Sequence, residues 1–191
     1  MLTKLRKSVK TVTSRVALSF IKVGLSANML TFLGLVFALI YFIAILELRN
    51  PYLGVLLIAL SAFMDGIDGE VARLSGTAGP KGAFIDSSLD RIEDVLYISG
   101  FLFFGINPIL IALLVGFSLI ISYIRAKGEL LGLKMEGVGI IERGERILFV
   151  IASLILIRIF SLGSFILLSL LLLLSVVTVV QRFVYVYTHL R

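Results

Sequence analysis

The chain of 191 residues is 59% hydrophobic with a mean hydropathy of +1.10, more apolar than a soluble core needs and long enough for about six membrane spans of ~20 residues each. It has no cysteine, which excludes disulfides and thiol chemistry, and its one histidine, His189, sits at the C-terminal end, which argues against histidine catalysis and zinc sites. The net charge of +6 suits anionic lipid headgroups or phosphorylated substrates better than nucleic acid, because the cations are scattered at helix ends.

Residues 1–25 alternate apolar and basic positions. Leu2, Leu5, Val9, Val12, Val16 and Phe20 face Lys4, Arg6, Lys7, Lys10, Arg15 and Lys22. The apolar set steps by three and four, which predicts an amphipathic helix lying in the membrane interface, its basic edge on lipid phosphates. It has neither the long apolar run nor the small-residue cleavage site of a signal peptide. Ser26-Ala27-Asn28-Met29-Leu30-Thr31 follows, with helix-capping residues at Ser26 and Asn28.

Six hydrophobic segments come next, at 29–48, 52–72, 83–104, 108–126, 144–160 and 162–183. Pro51 and Pro108 stand before the second and open the fourth, where a missing N–H costs little. The predicted fold is all-α: an integral membrane protein of six transmembrane helices over residues 26–191, preceded by the interfacial helix of residues 1–25. With both termini cytoplasmic, sixteen of the eighteen Lys and Arg fall on the cytoplasmic side, and only Arg49 and Arg158 lie outside. The positive-inside rule favours that orientation.

Seven of the twelve acidic residues fall within residues 65–94. Carboxylates in hydrocarbon are costly and mark functional sites. Asp65 and Asp68 are spaced i, i+3 and Asp86 and Asp90 i, i+4, so each pair lies on one helical face. Two such helices facing each other make a four-carboxylate cage, and hard oxygen ligands suit Mg²⁺ or Mn²⁺. Gly66, Gly69 and Gly82 keep bulk away from it. At Gly69 a nucleotide can approach the backbone, and Ala72 extends the small face.

Further on, Ser122 and Arg125 share one helical face, and Arg143 and Arg146 share another. Arg182 lies at the end of the last span. Several converging arginines hold a phosphate monoester well. The Phe165–Leu174 run reads as lipid-facing or dimer-packing surface.

The aspartate block resembles the CDP-alcohol phosphotransferase family, whose signature is D-x-x-D-G-x-x-A-R-x8-G-x-x-x-D-x-x-x-D. Asp65, Asp68, Gly69, Ala72, Arg73, Gly82, Asp86 and Asp90 fill its fixed positions. Asn28 and Thr31 resemble the family's Pro-Asn-x-x-Thr element, with Ala27 in place of the proline. The arginine blocks look like the branch of phosphatidylinositol-phosphate and archaetidylinositol-phosphate synthases. The resemblance implies a homodimer, a dinuclear metal centre held by Asp65, Asp68, Asp86 and Asp90, and Asp90 as general base. It implies a CDP-lipid site at Asn28, Met29, Leu30, Thr31, Gly69, Ala72, Arg73, Gly79 and Gly82. It implies an acceptor-phosphate site at Ser122, Arg125, Arg143, Arg146 and Arg182.

The expected function is transfer of a phosphatidyl-type group from CDP-diacylglycerol or CDP-archaeol to inositol 1-phosphate, with release of CMP, at the cytoplasmic face of the cell membrane. Glycerol 3-phosphate or serine as acceptor is the alternative within the family. A cation or proton transporter using the intramembrane carboxylates is the alternative outside it, although transporters usually bind near the bilayer midplane, often on broken helices.

Overall fold

The structure, a computed structural model, describes residues 13–190. The described residues form helices and no strands. α1 covers 13–22, followed by α2 (Ala27–Leu48), α3 (Pro51–Leu74) and α4 (Pro80–Ser99). A 3-10 turn (Gly100–Phe104) leads to α5 (Pro108–Leu130), α6 (Arg143–Leu156) and α7 (Ser161–His189). Residues 1–12 of the expected interfacial helix lie outside the described residues.

The helix ends follow from local chemistry. Asn50 Oδ1 accepts the N–H groups of Tyr52 and Leu53 at 3.1 and 3.2 Å, capping α3 beside Pro51. Asn107 accepts the N–H of Ile109 at 2.8 Å and caps α5, with Pro108 in its first turn. Glu142 and Glu145 form a reciprocal capping box at the start of α6.

The chain divides into two compact units, one of residues through Ile40 with Leu56–Glu93, the other of Tyr41–Val55 with Asp94 onward. In the first, Ala17, Leu30, Met64, Ile67 and Val71 form a buried core, and Val16, Phe20 and Ile21 pack on it. The apolar face of α1 is therefore packed on protein within the described residues, while Arg15 and Lys22 stay exposed. In the second unit α7 packs on α5 and α6. Tyr41 is buried there and its hydroxyl donates to the Tyr97 carbonyl at 2.9 Å. Gly100 leaves room for that hydroxyl, since a Cβ there would overlap it.

Among the described residues, three helices, α2, α5 and α7, are long and apolar enough to cross a membrane. The sequence predicts six crossings. α6 has only 14 residues, and α3 and α4 carry the acidic stretch, so composition alone does not mark them. Asp68, Glu70, Glu93 and Asp94 on α3 and α4 are nonetheless buried, each at 6% exposure or less, so these charges face protein.

Candidate active site

The acidic site forms in the first unit. Carboxylate oxygens of Asp65, Asp90 and Glu93 lie within 4.8 Å of one another. This grouping differs from the four-aspartate cage that the spacing predicts. Asp86, Asp90 and Glu93 follow at i, i+4 and i+7, so all three share a face of α4. Glu93 closes the buried end of that face, with 0% exposure. Asp68 and Asp86 instead line a neighbouring cavity of about 210 Å³, one turn along each helix from Asp65 and Asp90.

α2 makes room for this arrangement. A Cβ at Gly34 would overlap Asp65 Oδ1 and come within 3.3 Å of Glu93 Oε1. Ser61 ties α3 to the same point by donating to the Gly34 carbonyl at 2.6 Å. The donor set is hard oxygen throughout, and the glycine at position 34 leaves space that these carboxylates occupy. Both features fit a divalent cation of the Mg²⁺ or Mn²⁺ type.

The cavity gathers most of the residues expected at the CDP-lipid. Asn28 and Thr31 from α2, Gly69, Ala72 and Arg73 from α3, and Gly79 and Gly82 at the start of α4 all line it. Met29 and Leu30 do not: Met29 is half exposed and Leu30 is fully buried in the core. On a helix, successive residues point 100° apart, so Asn28 and Thr31 cannot share their direction with the two between them. Thr31 donates to Asp68 Oδ2 at 2.6 Å and holds that carboxylate at the cavity wall. A Cβ at Gly69 would come no closer than 3.7 Å to protein, and one at Gly82 no closer than 3.5 Å. Packing therefore tolerates a side chain at both positions; what their absence preserves is the cavity. A second cavity of about 640 Å³ shares Asn28, Thr77, Gly79 and Gly82 with the first and adds Lys81.

Arg73 is anchored by Glu70, with Nε 3.0 Å from Glu70 Oε2. Glu70 is itself held by the Ser14 hydroxyl at 2.7 Å. Asp90 has Arg91 Nη1 at 3.1 Å. Gly34, Glu70 and Glu93 lie outside the motif positions to which the sequence assigns roles. The i+3 step from Asp90 to Glu93 was the available signal for the last.

The residues expected at the acceptor phosphate lie in the second unit. Asp94 receives Arg143 Nε at 3.3 Å, Arg146 Nη2 at 2.8 Å and the Ser118 hydroxyl at 3.0 Å. The side chains of Arg146 and Asp94 are each 5% exposed. Arg146 Nε is buried with no hydrogen-bond partner among the described residues. Arg182 donates from Nε to the Val138 carbonyl and from Nη1 to the Ile121 carbonyl, both at 2.8 Å. Arg125 and Arg146 are electrostatic neighbours of Arg182. Arg125 also pairs with Glu129 at 2.9 Å, and Ser122 is buried on α5. Each of these arginines already has a protein acceptor. Asp94, which organises two of them, had no predicted role.

Comparison with known proteins bears on this arrangement. The profile of the CDP-alcohol phosphatidyltransferase family matches residues 25–181. The archaetidylinositol phosphate synthase of Aeropyrum pernix is 44% identical over 143 residues, 74% of this chain and 73% of that protein. Its counterpart in Pyrococcus horikoshii is 36% identical over 159 residues, 81% of this chain and 82% of that protein. Among solved structures, the phosphatidylinositol phosphate synthase of Mycobacterium tuberculosis with CDP-DAG bound superposes with a TM-score of 0.82 at 28% identity, over 93% of this chain and 94% of that one. The same enzyme in complex with manganese and citrate also superposes with a TM-score of 0.82, over 92% of this chain and 89% of that one.

Proposed function

The chain belongs to the CDP-alcohol phosphatidyltransferase family, and from that premise we propose that it transfers a phosphatidyl-type group from a CDP-lipid to inositol 1-phosphate, releasing CMP. Membership makes it a transferase and sets aside the transporter alternative. The observation that carries the reading is the convergence of Asp65, Asp90 and Glu93 in the same unit as a cavity that Asn28, Asp68, Gly69 and Asp86 line. The relatives' names support the acceptor, since two archaetidylinositol phosphate synthases match at 44% and 36% identity. The CDP-DAG bound to the mycobacterial relative supports the donor.

In this reading the acceptor hydroxyl oxygen attacks the lipid-side phosphorus of the pyrophosphate. The P–O bond to the cytidine-side phosphate breaks, and CMP leaves with the bridging oxygen. Asp90 takes the hydroxyl proton. Asn28, Gly69, Ala72, Gly79 and Gly82 accommodate the nucleotide, and Arg73, oriented by Glu70, offsets phosphate charge. Asp65, Asp68, Asp86 and Asp90, with Glu93 beside Asp65 and Asp90, would hold Mg²⁺ or Mn²⁺. A bound cation there would supply positive charge to offset the pyrophosphate and the departing CMP.

Arg143, Arg146 and Arg182, with Ser122 and Arg125, bind the acceptor's phosphate. Arg146 supports this best, because a buried guanidinium N–H without a partner is costly to leave unmet. The proposal extends to six membrane crossings, both termini and the site on the cytoplasmic side, and a homodimer.

The test is CMP release from CDP-archaeol and CDP-diacylglycerol with a panel of acceptors. Turnover with inositol 1-phosphate well above that with glycerol 3-phosphate, serine and free inositol supports the assignment. Preference for glycerol 3-phosphate or serine moves the chain to another acceptor within the family.

A further inference from the structure

A cavity of about 780 Å³ opens in the second unit, and none of the residues assigned to the reaction lines it. Arg49 and Arg158 stand on its wall. These are the two cations that the charge pattern puts on the outer side of the membrane. Arg158 Nη2 donates to the Arg49 carbonyl at 2.8 Å, which ties the end of α6 to the turn between α2 and α3. Neither guanidinium has a carboxylate partner among the described residues, and Glu47, two residues before Arg49, pairs with neither.

One further observation points to an anion. Ser161 and Leu162, the first residues of α7, also line the cavity. That helix start has no acidic residue in its first turn and no side-chain cap, so its free N–H groups and the positive end of its dipole are available. Arg49 itself sits at φ +48°, a left-handed conformation that favours glycine or asparagine. The rest of the wall is apolar, from Phe103, Ile106, Ile157 and Phe165. Two cations and a helix N-terminus above an apolar wall match a phosphate carrying a hydrocarbon tail better than a free anion.

We propose that this cavity binds the phosphate headgroup of an anionic membrane lipid, with Arg49, Arg158 and the start of α7 as its contacts. The inference does not depend on the proposed reaction.

The experiment uses the full chain in nonionic detergent, titrated with short-chain phosphatidic acid, with phosphatidylcholine of the same tails, and with inorganic phosphate. Wild type, Arg49→Gly, Arg158→Gln and the double variant are compared, so any lipid held at the reaction site is common to all four. The expected result is preferential binding of phosphatidic acid by the wild type and about a tenfold loss per removed arginine, typical of a charge-assisted contact. CMP release should stay unchanged. Glycine suits the left-handed turn, so Arg49→Gly should melt no lower than wild type, and lost binding in that variant then reports the missing charge. Undiminished phosphatidic acid binding in the double variant overturns the proposal, as does equal affinity for phosphatidylcholine. Displacement of the lipid by inorganic phosphate as effective as by more lipid would overturn the lipid assignment.

Discussion

Gly34 on α2 lies so close to Asp65 on α3 that a Cβ at position 34 would overlap Asp65 Oδ1. The first carboxylate of the acidic site is therefore seated by a residue on another helix that carries no chemistry. Gly34→Ala should push Asp65 aside, since added bulk in a close-packed site typically costs about 1–3 kcal/mol. CMP release should fall by tenfold or more and need more metal, while secondary structure by circular dichroism is kept. Wild-type turnover at wild-type metal concentration would show that the contact is not needed.

Removing the cation should stop the reaction. EDTA treatment is expected to abolish CMP release, and added Mg²⁺ or Mn²⁺ to restore it. Mn²⁺ should also raise the Tm of the EDTA-treated protein, because a ligand of the native state stabilises it. Glu93→Gln should raise the metal concentration needed for half-maximal activity. Full turnover in metal-free buffer, without a Tm change on adding Mn²⁺, contradicts the metal assignment.

Asp90→Asn separates binding from chemistry. It removes the proposed base and one carboxylate of the site, while Asn28, Gly69, Arg73 and Asp68 at the cavity are untouched. A positioned base is worth about 10²–10⁴ in rate. The variant should lose at least that much kcat, with CDP-lipid affinity largely kept. Near-normal kcat would falsify the role of Asp90 as base.

Arg143→Ala probes the acceptor more cleanly than Arg182→Ala, because Arg182 also holds the carbonyls of Ile121 and Val138. Loss of one charge-assisted contact costs about 1.5–3 kcal/mol, so KM for inositol 1-phosphate should rise roughly ten- to a hundredfold. KM for the CDP-lipid should barely change. Equal effects on both substrates would count against an acceptor role.

Asp94→Ala tests the buried ion pair. Arg146 would be left buried without its counter-charge, a change that typically costs about 3–5 kcal/mol. A large fall in Tm is expected, together with a weakened acceptor KM in whatever protein still folds. A Tm within a degree or two of wild type would mean that Arg146 finds another partner or reaches water.

The expected segments at 29–48, 52–72 and 108–126 agree with α2, α3 and α5 to within a few residues. Helix existence is written locally, in apolar runs bounded by prolines and capping residues. The pairing of Asp65 with Asp68 and of Asp86 with Asp90 is equally local, because the helical period alone puts each pair on one face. Asn28 and Thr31 were legible only through their resemblance to the family's Pro-Asn-x-x-Thr element, which did not separate the intervening Met29 and Leu30 from them.

Contacts between helices were not legible in this way. Nothing in the sequence near Gly34 says that it faces Asp65, or that Glu93 rather than Asp68 would complete the closest carboxylate group. The same holds for Asp94, which binds Arg143 and Arg146 from about fifty positions away in the chain, and for Glu70, which takes Ser14 from α1 as well as Arg73. Periodicity specifies the direction of a side chain from its own helix. Which neighbour it meets depends on how the helices pack, and here close packing at a glycine and the need to pair buried charge made that choice.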